Sequence, residues 1–129
     1  MSDRPQLIRD AFAAYDGGDL APLRALFAPD AKWIGVPGGA GERGEAYECA
    51  NRKQIVGRLE QHHKNGRRFA LGELIEKGDR VAVGFTVNNP DWSQPVTMFK
   101  VFAFQPGENV VVRMNDCIDE SYALQVLAA

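Results

Sequence analysis

The hydrophobic pattern of this chain changes period partway along, and that change limits the fold more than any single motif. Leu7, Ile8, Ala11, Phe12 and Tyr15 recur at helical spacing, as do Leu20, Leu23, Leu26 and Phe27, and later Ile55, Val56, Leu59 and His62 or His63. From Phe69 onward the apolar residues alternate with period two, most clearly Val81, Val83, Phe85 and Val87. Helices first and hairpins afterwards predict an α+β fold, with the helices on one side of an antiparallel sheet. The 129 residues suit a single domain with one core, spanning 1–129.

Local signals set the boundaries. Ser2 or Asp3 caps the first helix, Pro5 sits in its opening turn, and Gly17-Gly18 ends it. Asp19 caps a short second helix that Pro29-Asp30 breaks, and residues 31–36 read as a strand carrying Trp33 and Gly35 on one face. Asn51 and Gln54 form a capping box for the third helix, which Asn65-Gly66 closes. Strands follow at 69–76, 80–88, 97–104 and 110–119, paired as hairpins across Lys77-Gly78-Asp79 and across 105–109. Residues 89–95 are a loop with an exposed or lid-like Trp92, and 120–127 form a short helical or irregular tail.

The last strand carries the most chemistry. Its period-two rows are Val110, Val112, Met114, Asp116 and Ile118 on one face, and Val111, Arg113, Asn115, Cys117 and Asp119 on the other. An acid in an apolar row is either a strand end meeting water or a carboxylate facing a cavity. Lys100 sits in a comparable row with Met98, Phe102 and Phe104. If the hairpin closes with 104 opposite 110, Lys100 faces Met114, Asp116 faces Met98, and the two charges are diagonal neighbours on one face. A lysine there would offset part of the carboxylate's desolvation and leave Asp116 available as a base.

Composition excludes several classes. A formal charge of −2 does not favour nucleic acid as partner. No apolar run approaches a membrane span, and the N-terminus lacks a signal peptide's apolar region, which predicts a cytoplasmic protein. The glycine-rich connection at 37–48 lacks the Lys-Ser/Thr of a phosphate-binding loop and carries glutamates, so it reads as a rim. Cys49 and Cys117 have no zinc-type spacing and read as structural thiols. His62 and His63 diverge by about 100° on a helix and cannot share one metal, so neither metal nor cofactor is expected.

The runs Tyr15-Asp16-Gly17-Gly18-Asp19-Leu20 and Leu26-Phe27-Ala28-Pro29-Asp30-Ala31-Lys32-Trp33 are followed in order by three more. These are Glu48-Cys49-Ala50-Asn51-Arg52, Lys77-Gly78-Asp79-Arg80-Val81 and Val111-Val112-Arg113-Met114-Asn115-Asp116. In their order and spacing they resemble the nuclear transport factor two-like superfamily, in its SnoaL-like, ketosteroid-isomerase-like branch. The resemblance covers nearly the whole chain. It implies a cone: a curved antiparallel or mixed sheet wrapped around a pocket closed by three helices of the N-terminal half. It also implies a homodimer through the outer sheet face, to which Val111, Arg113, Asn115 and Cys117 would contribute.

The branch holds isomerases, polyketide cyclases, epoxide hydrolases, dehydratases and non-catalytic binders, so fold alone does not choose among them. A ketosteroid-isomerase-like site would place its groups at Gly35, near Ala11 and near Lys100, and all three are missing. An epoxide-hydrolase-like site is matched at Trp33, Arg80 and Asp116, but Gly35 and Ala82 replace its amide and central acid. A SnoaL-like cyclase uses one acid–base group, and Asp116 holds a suitable position. The resemblance therefore implies a small-molecule cavity protein acting on, or binding, an apolar or amphipathic molecule. Asp116 is its catalytic candidate, with help from Lys100 or from a histidine, His62 being the candidate acid–base of the His62-His63 pair. Tyr15, Trp33, Leu59, Phe85, Met98, Phe102, Met114 and Ile118 are the candidate lining.

Overall fold

Pro5 lies in the first turn of helix α1 (Arg4–Asp16), where its missing N–H forfeits no helical hydrogen bond. Asp3 occupies the N-cap without a side-chain capping bond, and Ile8, Ala11, Phe12 and Tyr15 form the buried face. The computed structural model describes residues 3–35 and 48–129, so Ser2, Val36 and nearly all of the 37–48 rim lie outside the described residues. Helix α2 (Ala21–Leu26) is steadied by Asp19, whose Oδ1 accepts from Ala21 N at 3.0 Å. Strand β1 (Phe27–Ile34) begins at once. Pro29-Asp30 is thus not the break predicted after α2. The helix ends when Phe27 turns extended, and the proline sits inside β1 where pairing is irregular.

The remaining elements are β2 (Glu48–Cys49), α3 (Arg52–Lys64), β3 (Arg68–Lys77), β4 (Arg80–Asn88), β5 (Val96–Phe104), β6 (Val111–Cys117) and α4 (Glu120–Ala128). Asn51 caps α3 by accepting from Gln54 N, while Gln54 Oε1 reaches back to Ala50 N at 2.7 Å. At its other end Gly66 takes φ +90°, and a side chain there would collide with Pro90.

The described strands form one mixed sheet in the order β2-β1-β6-β5-β4-β3, antiparallel throughout except for β1 beside β6. Pairing shifts between Leu71 and Leu74, between Ala103 and Phe104, and between Phe27 and Lys32. Such irregularities bend a strand and raise its twist, which lets the sheet curl into a cone. Helices α1, α2 and α3 join the inner sheet face in the main core.

The tail is a helix, α4, and Asp119 caps it by accepting from Tyr122 N at 2.9 Å. It lies on the outer face, where Ala123 and Leu127 pack with Ala82, Val101 and Cys117. This corrects the row expected to form a dimer surface: Cys117 is buried beside α4, and Val111 belongs to the main core. Arg4 ties α1 to both hairpin turns. It pairs with Asp79 at 2.9 Å, donates to the Gln105 and Glu108 carbonyls, and lies over the Phe104 ring. Among the described residues no helix is long and apolar enough to cross a membrane.

Candidate functional site

The site is set by the register of β5 and β6. Gln105 N donates to Val110 O at 2.8 Å and Phe104 pairs with Val111, one residue beyond the predicted 104–110 pairing. Ala103 then pairs with Arg113, which leaves Val112 as an extra residue on β6. The two one-residue shifts add to two. Parity beyond the bulge is kept, but partners change: Phe102 faces Met114, and Lys100 lies directly opposite Asp116 rather than diagonal to it. Before the bulge the parity is reversed, so Val111, not Val110 or Val112, enters the core.

Lys100 Nζ lies 2.5 Å from Asp116 Oδ1, and the two residues are 1% and 2% exposed. The same ammonium sits 4.5 Å from the centroid of the Trp33 ring, whose negative face favours a cation. Trp33 is placed by its neighbours on β1's two sides, Cys49 on β2 and Met114 on β6. Indole, ammonium and carboxylate therefore share one buried spot on the inner face. Met98, Phe102 and Leu59 are buried in the surrounding core.

Cys49 and Arg58 join this spot without having been singled out for it. Burial pushes the Cys49 thiol up, partly opposed by a hydrogen bond from Arg58 and by that guanidinium's charge. A two-residue strand has too few positions for alternation to assign a face, so the sequence had no signal for Cys49. Cys117 behaves as the structural thiol predicted: burial raises it to about 12, and Asp116 adds to the effect.

His62 is buried on α3 with its ring 6.4 Å from that of Trp33. Burial, then the charges of Arg67, Lys100 and Arg58, lower it to about 3, so it is neutral at ordinary pH. His63 packs edge-on against Tyr15 at 5.3 Å.

The remaining predicted lining separates. Tyr15 is fully buried and donates its hydroxyl to the Arg67 carbonyl at 3.1 Å, so the hydroxyl is already engaged within the fold. Phe85 packs on Phe12 at 5.0 Å and on Phe69 at 5.6 Å, which makes it a member of an aromatic cluster. Ile118 lies past the end of β6 and is 50% exposed, so it does not line the interior as predicted. Trp92 is half-buried, with the Arg67 guanidinium 4.9 Å above its ring. The epoxide-hydrolase-like match also fails in space. Ala82 faces outward into the α4 cluster, and Arg80 donates to the Val126 and Ala129 carbonyls. Among the described residues no three His, Cys, Asp or Glu side chains are grouped to hold a metal.

A curved mixed sheet closed by helices is the architecture of a nuclear transport factor two-like α+β protein, and here it buries the Asp116 carboxylate on its inner face. The SnoaL-like domain model matches residues 8–114, and the chain belongs to that family. No curated protein matches the sequence significantly. Among solved structures, the chain is similar to an NTF2-like protein of unknown function from Burkholderia pseudomallei, with TM-score 0.74, 23% identity and all of both chains covered. It is also similar to a proposed polyketide cyclase from Sinorhizobium meliloti, with TM-score 0.69, 20% identity, and 88% of this chain and 95% of that chain covered. A third is IdmH, a proposed polyketide cyclase from Streptomyces antibioticus, with TM-score 0.67, 19% identity, and 99% of this chain and 100% of that chain covered. At these identities the likeness is one of fold.

Proposed function

We propose that this chain is an acid–base enzyme of the isomerase, cyclase or lyase type, in which Asp116 takes a proton from the carbon beside a carbonyl group of a small apolar or amphipathic molecule. The observation that carries this reading is the ion pair. Among the described residues Asp116 is the one buried carboxylate, and it meets Lys100 inside an apolar wall. A buried pair contributes little to stability, because desolvation rivals the attraction. It suits a base better. When Asp116 accepts the C–H proton, the bonding electrons move onto the carbonyl oxygen as an enolate, and the Lys100 ammonium remains beside the relocated charge. The number of buried charges stays constant through the step, which keeps reorganisation small. Protonation at a second carbon, attack on a second carbonyl, or loss of a β-leaving group would give isomerisation, cyclisation or elimination. The two similar structures described as proposed polyketide cyclases support the cyclisation branch.

One observation favours a second reading, non-catalytic binding. The 2.5 Å contact satisfies both charges without a ligand, so the same wall could hold an apolar molecule and do nothing to it. Deuterium uptake at the α-carbon of α-tetralone in D2O, followed by proton NMR, separates the two. The wild-type protein is expected to accelerate uptake, and Asp116→Asn to reduce that acceleration by about 10²–10⁴-fold. Equal uptake by both proteins while the ketone still binds would assign the chain to the binders.

A further inference from the structure

We propose that His62 is a second functional group of this site: a neutral imidazole whose Nδ1–H donates to the ligand's oxygen, held in that tautomer by Arg67. The inference rests on reading Lys100 and Asp116 as the ligand site.

The geometry begins at the indole. His62 is 5% exposed in the last turn of α3, and its ring stands edge-on to Trp33 at 6.4 Å. The Lys100 ammonium lies over the same indole at 4.5 Å. An imidazole and an ammonium thus both neighbour one indole, and the ammonium holds the carboxylate that would remove the proton.

Arg67 decides which ring nitrogen carries hydrogen. Its Nη1 lies 3.3 Å from His62 Nε2, and a guanidinium can only donate, so Nε2 is the acceptor. A neutral ring then has its proton on Nδ1. Among the described residues the His62 ring makes no other hydrogen bond, which leaves Nδ1–H available to a ligand. Arg67 is held in turn by Asn89 Oδ1 at 3.3 Å and by stacking on Trp92 at 4.9 Å. The 89–95 loop therefore fixes a positioning residue, Arg67, whose effect reaches the site through His62.

The charged groups around the ring agree on its state. Arg67 just before β3, Lys100 on β5 and Arg58 on α3 are all cations, and with burial they disfavour an imidazolium. A donor that stays neutral can bond a carbonyl oxygen, and more strongly an enolate, without entering the proton transfer. The ligand class follows: a carbonyl or enol oxygen carried on a flat apolar body that can lie against Trp33.

Long-range proton–nitrogen NMR of the 15N-labelled protein reads the tautomer directly. We expect the Nδ1–H form of His62 at pH 7 and at pH 5, with the preference weakened in Arg67→Met. A wild-type Nε2–H form, or an imidazolium at pH 7, would overturn the assignment even if the Arg67 variant does not fold. Adding α-tetralone should shift the Nδ1–H resonance in wild type and in Asp116→Asn; an unmoved resonance in the bound state would remove the donor role. His62→Gln, which keeps an N–H donor, should retain α-carbon exchange within about tenfold, while His62→Phe should lower it about a hundredfold. Wild-type exchange in His62→Phe would contradict the proposal. Failure of the underlying reading looks different: wild type and Asp116→Asn would exchange alike, whatever tautomer His62 shows.

Discussion

On the β4–β3 wing of the sheet, Phe69 and Phe85 close on Phe12 and Tyr15 of α1, with ring centroids 5.0–5.6 Å apart in the contacts of Phe69 with Phe12, Tyr15 and Phe85 and of Phe12 with Phe85. On the β1–β6–β5 wing, under α3, the same inner face carries Trp33, Asp116 and Lys100, with His62 and Cys49 beside them. Burying aromatic rings edge to face is favourable outright, so the first wing holds the fold together. Burying two charges is at best neutral, so the second wing gives up stability that an apolar wall would have supplied. The contrast teaches where to look for function: at the part of the core that is more polar than folding requires.

The largest break in that contrast comes from removing one partner of the pair. Lys100→Met should cost about 3–5 kcal/mol at pH 7 in urea unfolding, because it takes the lysine from a carboxylate that stays buried. A loss below about 1 kcal/mol would mean that the wing is wetter than its burial implies.

A smaller effect should appear on lowering the pH. His62 titrates near 6.5 when unfolded and near 3 when folded, so between those values the unfolded chain binds a proton that the folded chain refuses. Stability should therefore fall as pH drops through this window, by about 2 kcal/mol from this residue at pH 5. Urea midpoints at pH 7 and pH 5 measure the slope, and His62→Phe should lose that part of it. An unchanged slope in the variant would place the imidazole in a more polar setting.

Much of the fold was legible because its signals are local and periodic. The Val81, Val83, Phe85, Val87 row, the Asn51–Gln54 cap and the Gly66 stop are read from neighbouring residues, and the structure reproduces each. Lys100 and Asp116 were correctly placed on one face for a narrower reason. The turn and the Val112 bulge each displaced the register by one residue, and two such shifts restore parity. Where only one had acted, at Val111, the predicted face was wrong. Contacts between distant segments left no local trace. Arg4 reaches Asp79 and Glu108 across 75 and 104 residues, and α4 covers Cys117 only once the sheet has formed. Arg67 was likewise hidden, since its importance comes from His62, Asn89 and Trp92 meeting around it.

The most direct measurement of the central claim replaces both charges at once. In Lys100→Met/Asp116→Leu, urea unfolding and α-tetralone exchange are followed side by side. If the pair serves chemistry rather than folding, the double variant should be as stable as wild type or up to about 4 kcal/mol more stable, and should lose the exchange activity. A double variant several kcal/mol less stable than wild type, or one that exchanges at the wild-type rate, would contradict it.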